Sequence, residues 1–383
     1  MPAHYRVALL ITPDSAYTRG LLQGIKAFAR EHAHWSICHG EFSREEASVG
    51  GVAKWRGDGI IARIENKAVA RCVARSGLPV VDTSAGRWWP SCPAVHSDDE
   101  EVGRLAADHF MERGFRHFAF CGDPRRPWSH SRQESFCRSI TAAGHACEVY
   151  QVSDRLAPRS LWRLRTADVA RWVRKLAKPV AIMAAWDGYG QQVLEACQQA
   201  GLAVPDEVAV LGVDNDDLVC EMSEPPLSSV ILDPNRTGYL AAELLDRMMA
   251  GQRVAPEMHR VKPLGIATRQ STDIQAVEDP DIVEAVRYIR RKACEGIGVG
   301  DVLEHLQISR RVLERRFTNL LNRSPHEEIV RVRIARVKQL LAETDLVLPA
   351  IAQRAGFQHP EYMSVLFRKQ TGQTPGQYRR QYR

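Results

Sequence analysis

The sequence predicts two folds in tandem: an α/β region over roughly the first 270 residues, then an all-α region with two helix-turn-helix units. Three observations predict it. Short β-rich apolar runs alternate with helical patterns from Tyr5 to about Leu264, as in a parallel sheet covered on both faces. Beyond "DIQAVEDPD" (273–281), which is polar and contains a proline, the pattern is wholly helical. Charge divides at the same place. Residues 281–383 carry 19 Lys and Arg against 11 Asp and Glu, and the rest carries 33 against 35. The whole positive excess of a chain with net charge +6 therefore sits in its last hundred residues, which favours a polyanion partner for that segment alone.

The first strand is "RVALLIT" (6–12). It is too short and too rich in β-formers for a secretory signal, and neither a charged head nor a small-residue cleavage site flanks it. Further strands are "GIIAR" (59–63), "PVVDT" (79–83), "HFAFCG" (117–122), "VAIMAAW" (180–186), "VAVLGV" (208–213) and "LSSVIL" (227–232). Helical stretches such as "GLLQGIKAFAREH" (20–32) and "VGRLAADHFMERG" (102–114) lie between them. Ligands of such sheets bind at the carboxyl ends of the strands. No run approaches the roughly 20 apolar residues of a membrane span, so a cytoplasmic protein without a membrane partner is expected.

None of the nine cysteines has a C-x-x-C neighbour. Scattered reduced thiols are expected, with no metal and no cofactor. The chain has no Walker A loop, no G-x-G-x-x-G after the first strand, no G-x-S-x-G elbow and no H-E-x-x-H. An enzyme on the α/β core, converting a carbohydrate or nucleotide, therefore stands only as the alternative.

After the linker 273–281, "DIVEAVRYIRR" opens a helix with Ile282, Val283, Val286 and Ile289 on one stripe. The C-terminal region then repeats itself. "RRVLERRFTNLLNRSP" (310–325) aligns with "PEYMSVLFRKQTGQTP" (360–375) at an offset of 50, matching Phe317 to Phe367 and Pro325 to Pro375. Each follows a short apolar helix and a tight connection, "VLEHLQIS" (302–309) and "AIAQRAGFQH" (350–359), which makes two helix-turn-helix units. With Ser309 as N-cap, a helical wheel turns Leu313, Phe317 and Leu320 inward and Arg311, Arg315 and Thr318 outward, with Arg310 and Arg316 flanking. Such a face suits the major groove of double-stranded DNA: outward arginines read guanine edges and flanking ones hold phosphates. The bland alternative is a solvated, salt-bridged surface. In the second unit His359 is a candidate N-cap before Pro360; Met363, Leu366 and Phe367 face inward, while Glu361, Val365 and Arg368 face outward. A helix over 324–344, with Val330, Ile334, Val337 and Leu341 as its stripe, joins the two units and would set them in successive major grooves.

"ISRRVLERRF" and "IAQRAGFQHPEYMSVLFRKQTGQTPGQYR" resemble the DNA-binding domain of the arabinose-regulator (AraC) family. One departure is Gln307, where many members have glycine in the turn. Residues 188–230, "GYGQQVLEACQQAGLAVPDEVAVLGVDNDDLVCEMSEPPLSSV", resemble the effector core of the lactose-repressor family, and the likeness extends over roughly 5–270. It implies a two-lobed, periplasmic-binding-protein-like (type I) sensor domain over 1–272. The chain would cross between its lobes near residues 115, 233 and 257, and sugar would bind in the cleft.

The same resemblance implies roles for Arg132 in "SRQESF", Asp214 in "GVDN" and Asp187 after "AIMAAW", where Trp186 replaces the usual asparagine. A guanidinium and carboxylates suit vicinal hydroxyls, which both donate and accept. Trp128 and Tyr17 follow candidate strands and offer faces for the apolar side of a sugar ring; Arg63 also ends a strand. Structural alternatives are a helix cap for Asp187, a turn for Asp214 and an ion pair for Arg132.

A lactose-repressor-like sensor ahead of an AraC-type reader (282–383) resembles the xylose-operon regulators. "YTRGLLQGI" (17–25) and the junction 279–317 are similar to that group in particular. The resemblance implies a homodimeric activator that responds to D-xylose or a related pentose, binds an operator and has RNA polymerase as a partner. Arg63 and Glu65 stand where that group has an acidic pair, a change that would favour another sugar or an acidic one.

Overall fold

The computed structural model describes residues 5–32, 35–39, 55–150, 166–274, 279–321, 323–344 and 346–381. The chain divides into two compact units, Met1–Ile274 and Gln275–Arg383. The expected linker 273–281 straddles that boundary; residues 275–278 of it lie outside the described residues, and Asp279 already caps a helix.

The first unit runs β1 (Tyr5–Leu10), α1 (Ala16–His32), β2 (Trp35–His39), β3 (Gly59–Ala62), α2 (Lys67–Ala74), β4 (Val80–Asp82), β5 (Ala94–Ser97), α3 (Asp99–Met111), β6 (His117–Cys121), α4 (Pro127–Ala142) and β7 (Cys147–Val149). It continues with α5 (Thr166–Lys175), β8 (Val180–Ala184), α6 (Asp187–Ala200), β9 (Val208–Val213), α7 (Asp217–Met222), β10 (Ser228–Ile231), α8 (Pro234–Met249), β11 (Met258–Val261) and β12 (Gly265–Ala267). Among the described residues two six-stranded sheets result, ordered β11-β5-β4-β3-β1-β2 and β12-β10-β9-β8-β6-β7. All pairings are parallel except β10 with β12. Every residue of β3, β8 and β9 is buried, as continuous apolar strands between two helical layers must be.

The chain crosses between the lobes three times, at positions partly different from those expected. The first crossing falls at Asp98, not near 115, because α3 already packs on α4 in the second lobe. The second falls at 232–233, as expected. The third lies between β11 and β12, at 262–264 rather than near 257. In the first lobe α1 and α8 meet backbone to backbone: a Cβ on Gly24 would strike the Asn235 carbonyl, and one on Gly238 would strike that of Leu21.

The second unit is helical: α9 (Pro280–Lys292), α10 (Val299–Leu306), α11 (Arg310–Leu321), α12 (Pro325–Glu343), α13 (Leu348–Arg354), α14 (Pro360–Thr371) and α15 (Pro375–Gln381). The duplication is visible in the fold. α11 and α14 are each 12 residues long and begin 50 residues apart, as do α12 and α15. Each repeat has its own core, around Phe317 with Ile282, Ile289 and Leu313 and around Phe367 with Ile351 and Met363. α12 serves both: Ile329 enters the first core, and Val330, Ile334, Val337 and Leu341 enter the second. Ser324 caps α12 and Glu327 reaches back to Ser324, closing a capping box.

Candidate effector cavity and nucleic-acid interface

The carboxyl ends of strands from both sheets frame one cavity of about 320 Å³. The first lobe supplies Asp14, Ser15, Tyr17 and Thr18 after β1, Arg63 and Glu65 after β3, and His96 on β5. The second supplies Arg126, Trp128 and Arg132 after β6, Trp186 after β8 and Asp214 after β9. Five of the six residues expected from the sequence, Tyr17, Arg63, Trp128, Arg132 and Asp214, thus line a single space.

Arg132 is the organising cation. Pro127 starts α4 at a position where its missing N–H costs nothing, and one turn later Arg132 points inward, 3% exposed. Its Nε donates to Asp99 Oδ1 at 2.7 Å and its Nη1 to the Ala185 carbonyl at 2.7 Å. The Trp128 ring lies 5.1 Å from the guanidinium and Asp214 Oδ1 lies 3.9 Å from Nη1. The second oxygen of Asp99 is 3.2 Å from His96 Nε2. His96 Nδ1 is 3.4 Å from the Tyr17 hydroxyl, which accepts a hydrogen bond from Ser97 Oγ at 3.2 Å. A buried chain Tyr17–His96–Asp99–Arg132 therefore runs from one lobe to the other beside the first crossing.

Burial alone would raise the Asp99 carboxyl, but Arg132 and then His96 outweigh it and hold the group below its ordinary value. For Asp214 burial wins over the nearby Arg132 and pushes the carboxyl up to about 6. Burial also raises the Tyr17 phenol. Arg63 pairs through Nε with Glu65 at 3.3 Å and lies 5.7 Å from the Tyr17 ring. Its Nη1 is buried without a hydrogen bond, a donor open to a ligand.

Asp187 departs from the expectation, for it does not line the cavity. Its wholly buried carboxylate accepts from Ser229 Oγ at 2.6 Å and from the Asp216 amide at 2.8 Å. It braces the turn in which Asp214 and Asn215 take φ of 107° and 51°, and Trp186 occupies the lining place instead. The sequence reading missed His96 and Asp99, because the four-residue strand "AVHS" carries too little apolar signal to be read as a strand.

In the second unit α11 begins directly after Ser309 and exposes Arg310, Arg311, Arg315 and Thr318. Arg310 pairs with Glu314 at 2.8 Å. One expectation is corrected. Leu321, not Leu320, completes the buried stripe, and Leu320 is 41% exposed; at 100° per residue Leu321 falls closer than Leu320 to the direction of Phe317. Arg316 is engaged within the protein: its Nη1 lies 2.7 Å from Asp281 and 3.5 Å from Asp279, tying α11 to the start of α9. In α14 Pro360 holds the first position. His359 sits at the N-cap without a side-chain capping bond, and Glu361 and Arg368 are exposed. Val365 and Tyr362, also exposed, add apolar surface to that face.

Three family models match the chain: the XylR N-terminal domain over residues 6–96, a periplasmic binding protein-like domain over 107–272 and a helix-turn-helix domain over 302–381. The chain is 30% identical over 383 residues to the xylose operon regulatory protein of Escherichia coli K12, covering 98% of this chain and 97% of that one. It is 29% identical over 385 residues to the Haemophilus influenzae protein of the same name, covering 98% of each. A solved structure described as the xylose-binding transcription activator XylR matches with a TM-score of 0.79 and 28% identity, over 99% of this chain and 98% of that one. Among the described residues no helix is long and apolar enough to cross a membrane. With a two-lobed sensor, a duplicated helix-turn-helix reader and relatives that are regulators rather than enzymes, the chain belongs to the family of the xylose operon regulatory proteins, sugar-responsive DNA-binding transcription regulators.

Proposed function

We propose that the effector is D-xylose or a closely related pentose, and that the regulator acts in the cytoplasm as a homodimeric activator of a pentose-catabolic operon with RNA polymerase as its partner. The observation that carries the ligand reading is the cavity itself. Arginines and carboxylates from both lobes face one space with two indole rings, which suits a small ring whose hydroxyls donate and accept and whose C–H face is apolar. Arg132, Asp214 and Arg63 bind hydroxyls, Trp128 and Tyr17 cover the ring, and Asp187 positions Asp214. Sugar contacting both lobes draws them together. Arg311, Arg315 and Thr318 then read bases in one major groove, with Arg310 on the backbone, and His359, Glu361 and Arg368 read the next; Arg316 holds the domain together.

Thermal unfolding of the purified protein against pentoses, hexoses and sugar acids tests this. At 100 times its dissociation constant, an effector adds about 2.7 kcal/mol to the stability of the unit that binds it. Stabilisation by D-xylose above the other sugars is expected; stabilisation by a different sugar alone reassigns the effector.

A further inference from the structure

We propose that Cys137 and Cys147 form a reversible intramolecular disulfide, a thiol-modification site on the second lobe apart from the effector cavity. The fold brings the two sulfurs together. α4 ends at Ala142, Gly144 takes φ of 85°, and the His145 amide returns to the Ile140 carbonyl at 3.1 Å. A left-handed residue of this kind is where glycine closes a helix. The chain then runs back beside α4 as β7, and the Cys137 thiol donates to Cys147 Sγ at 3.0 Å. A disulfide needs about 2.05 Å, so the two sulfurs must approach by about 1 Å.

The chemistry of the two groups favours the step. Both are half-buried, and β7 is the last strand of its sheet, so a small oxidant has a short path to them. Cys72, Cys92, Cys121, Cys197 and Cys220 are buried. Among the described residues this is the one pair of sulfurs in hydrogen-bond contact. Once Cys137 loses its proton, Cys147 donates to the thiolate in turn; that bond holds the Cys137 thiol below its ordinary value, while Cys147 is raised by the same bond and by burial.

The Cys137 thiolate attacks one sulfur of a small-molecule disulfide such as oxidised glutathione, whose S–S bond breaks and releases one thiolate. Cys147 loses its proton to solvent and attacks the Cys137 sulfur of the mixed disulfide, expelling the second thiolate. The protein gives up two electrons and two protons, and the small disulfide becomes two thiols. A dithiol reductant reverses both steps. The cross-link fastens the later turns of α4, whose first turns carry Trp128 and Arg132, to the edge of the sheet.

The full-length protein is incubated under native conditions with oxidised glutathione, quenched with an alkylating agent, digested and mapped by mass spectrometry. A cross-linked Cys137–Cys147 peptide lacking two hydrogens is expected, removed by dithiothreitol, while the half-exposed Cys38 and Cys294 carry glutathione singly. In Cys147→Ser, Cys137 should instead keep a stable glutathione adduct. Wild-type protein in which Cys137 and Cys147 stay alkylated while Cys38 and Cys294 are modified, in which they carry separate adducts, or in which they bond to other cysteines overturns the proposal.

Discussion

Asp99 is the first residue of α3, directly after the chain leaves the first lobe, and its two oxygens hold one partner from each lobe, His96 and Arg132. Breaking a buried ion pair by removing one partner costs about 3–5 kcal/mol, because the other charge stays buried. In Asp99→Asn the amide still accepts from Arg132 but presents no anion to the guanidinium. Lower thermal stability is expected, together with sugar binding at least tenfold weaker by calorimetry; Glu101→Gln, two residues on and paired with the exposed Arg104, should leave sugar affinity unchanged. Equal sugar affinity in both variants would remove Asp99 from the binding machinery.

Asp214 makes a pH prediction. Its folded-state value of about 6 lies above the ordinary 3.8, so the folded protein binds this proton more tightly than the unfolded chain does. The stabilisation is complete below about pH 4 and is lost as pH rises through 6. Asp82, pushed by burial to about 6 as well, acts in the same direction. Asp99, held below its ordinary value, matters only at lower pH. Denaturant unfolding in the absence of sugar should therefore show stability falling less between pH 4 and 6.5 in Asp214→Asn than in the parent. Sugar hydroxyls that donate to the carboxylate favour its charged form, so sugar affinity should strengthen from pH 5 to 7 in the parent and stay flat in the variant.

At the scale of elements, what the sequence made legible tracks how apolar each element is. All seven strands read from the sequence appear in the fold, and they are central strands with continuous apolar runs. Those missed are β2, β7, β11 and β12, the outermost strands of the two sheets, and the short β5 beside β11. Edge strands bury less and carry polar residues, so "WSICH" or "MHRV" has no pattern to separate it from a loop. For the same reason five cavity residues were found from strand ends while His96 and Asp99, around β5, were not. Asp187 was misplaced because a residue after a strand faces either the cleft or the core, and sequence spacing does not distinguish the two.

Two turns and contacts give tests at this scale. Gln307 ends α10 with φ of 54° and ψ of 35°. A side chain in that left-handed conformation costs roughly 1–2 kcal/mol, partly offset here by its bond to the Glu304 carbonyl at 2.7 Å. Gln307→Gly should keep the turn and raise the unfolding midpoint of the helical unit slightly; a lower midpoint would show the side-chain bond to outweigh the strain. Gly24→Ala should do the opposite to the first unit. Its Cβ would stand 2.8 Å from the Tyr239 amide nitrogen and against the Asn235 carbonyl. Backbone yields less readily than a side chain, so α1 and α8 must separate. Reduced stability with weaker sugar binding is expected, since α1 also carries Tyr17.

At the scale of the whole molecule, a sensor and a reader in one chain make a regulator only if their equilibria are coupled. Sugar can change DNA binding only through its different affinity for the states that bind DNA well and poorly. The coupling is reciprocal: if saturating sugar tightens operator binding by some factor, saturating operator must tighten sugar binding by the same factor, typically about 5–150-fold. The charge distribution allows this to be separated from plain electrostatics. The last hundred residues hold the positive excess, and each phosphate contact contributes about −0.9 to the slope of log affinity against log salt concentration. If Arg310 holds a phosphate as proposed, Arg310→Ala should weaken operator and random DNA alike and flatten that slope by about one unit. Arg311→Ala should weaken the operator more than random DNA, because a bidentate guanine contact is worth about 1–3 kcal/mol of discrimination. In both variants the sugar-dependent factor should persist, because neither residue lies in the sensor. Asp99→Asn should instead shrink that factor with specific and random DNA affinity intact in the absence of sugar. If the factor is unity in the parent by both titrations, the two units bind their ligands independently, whatever each binds alone.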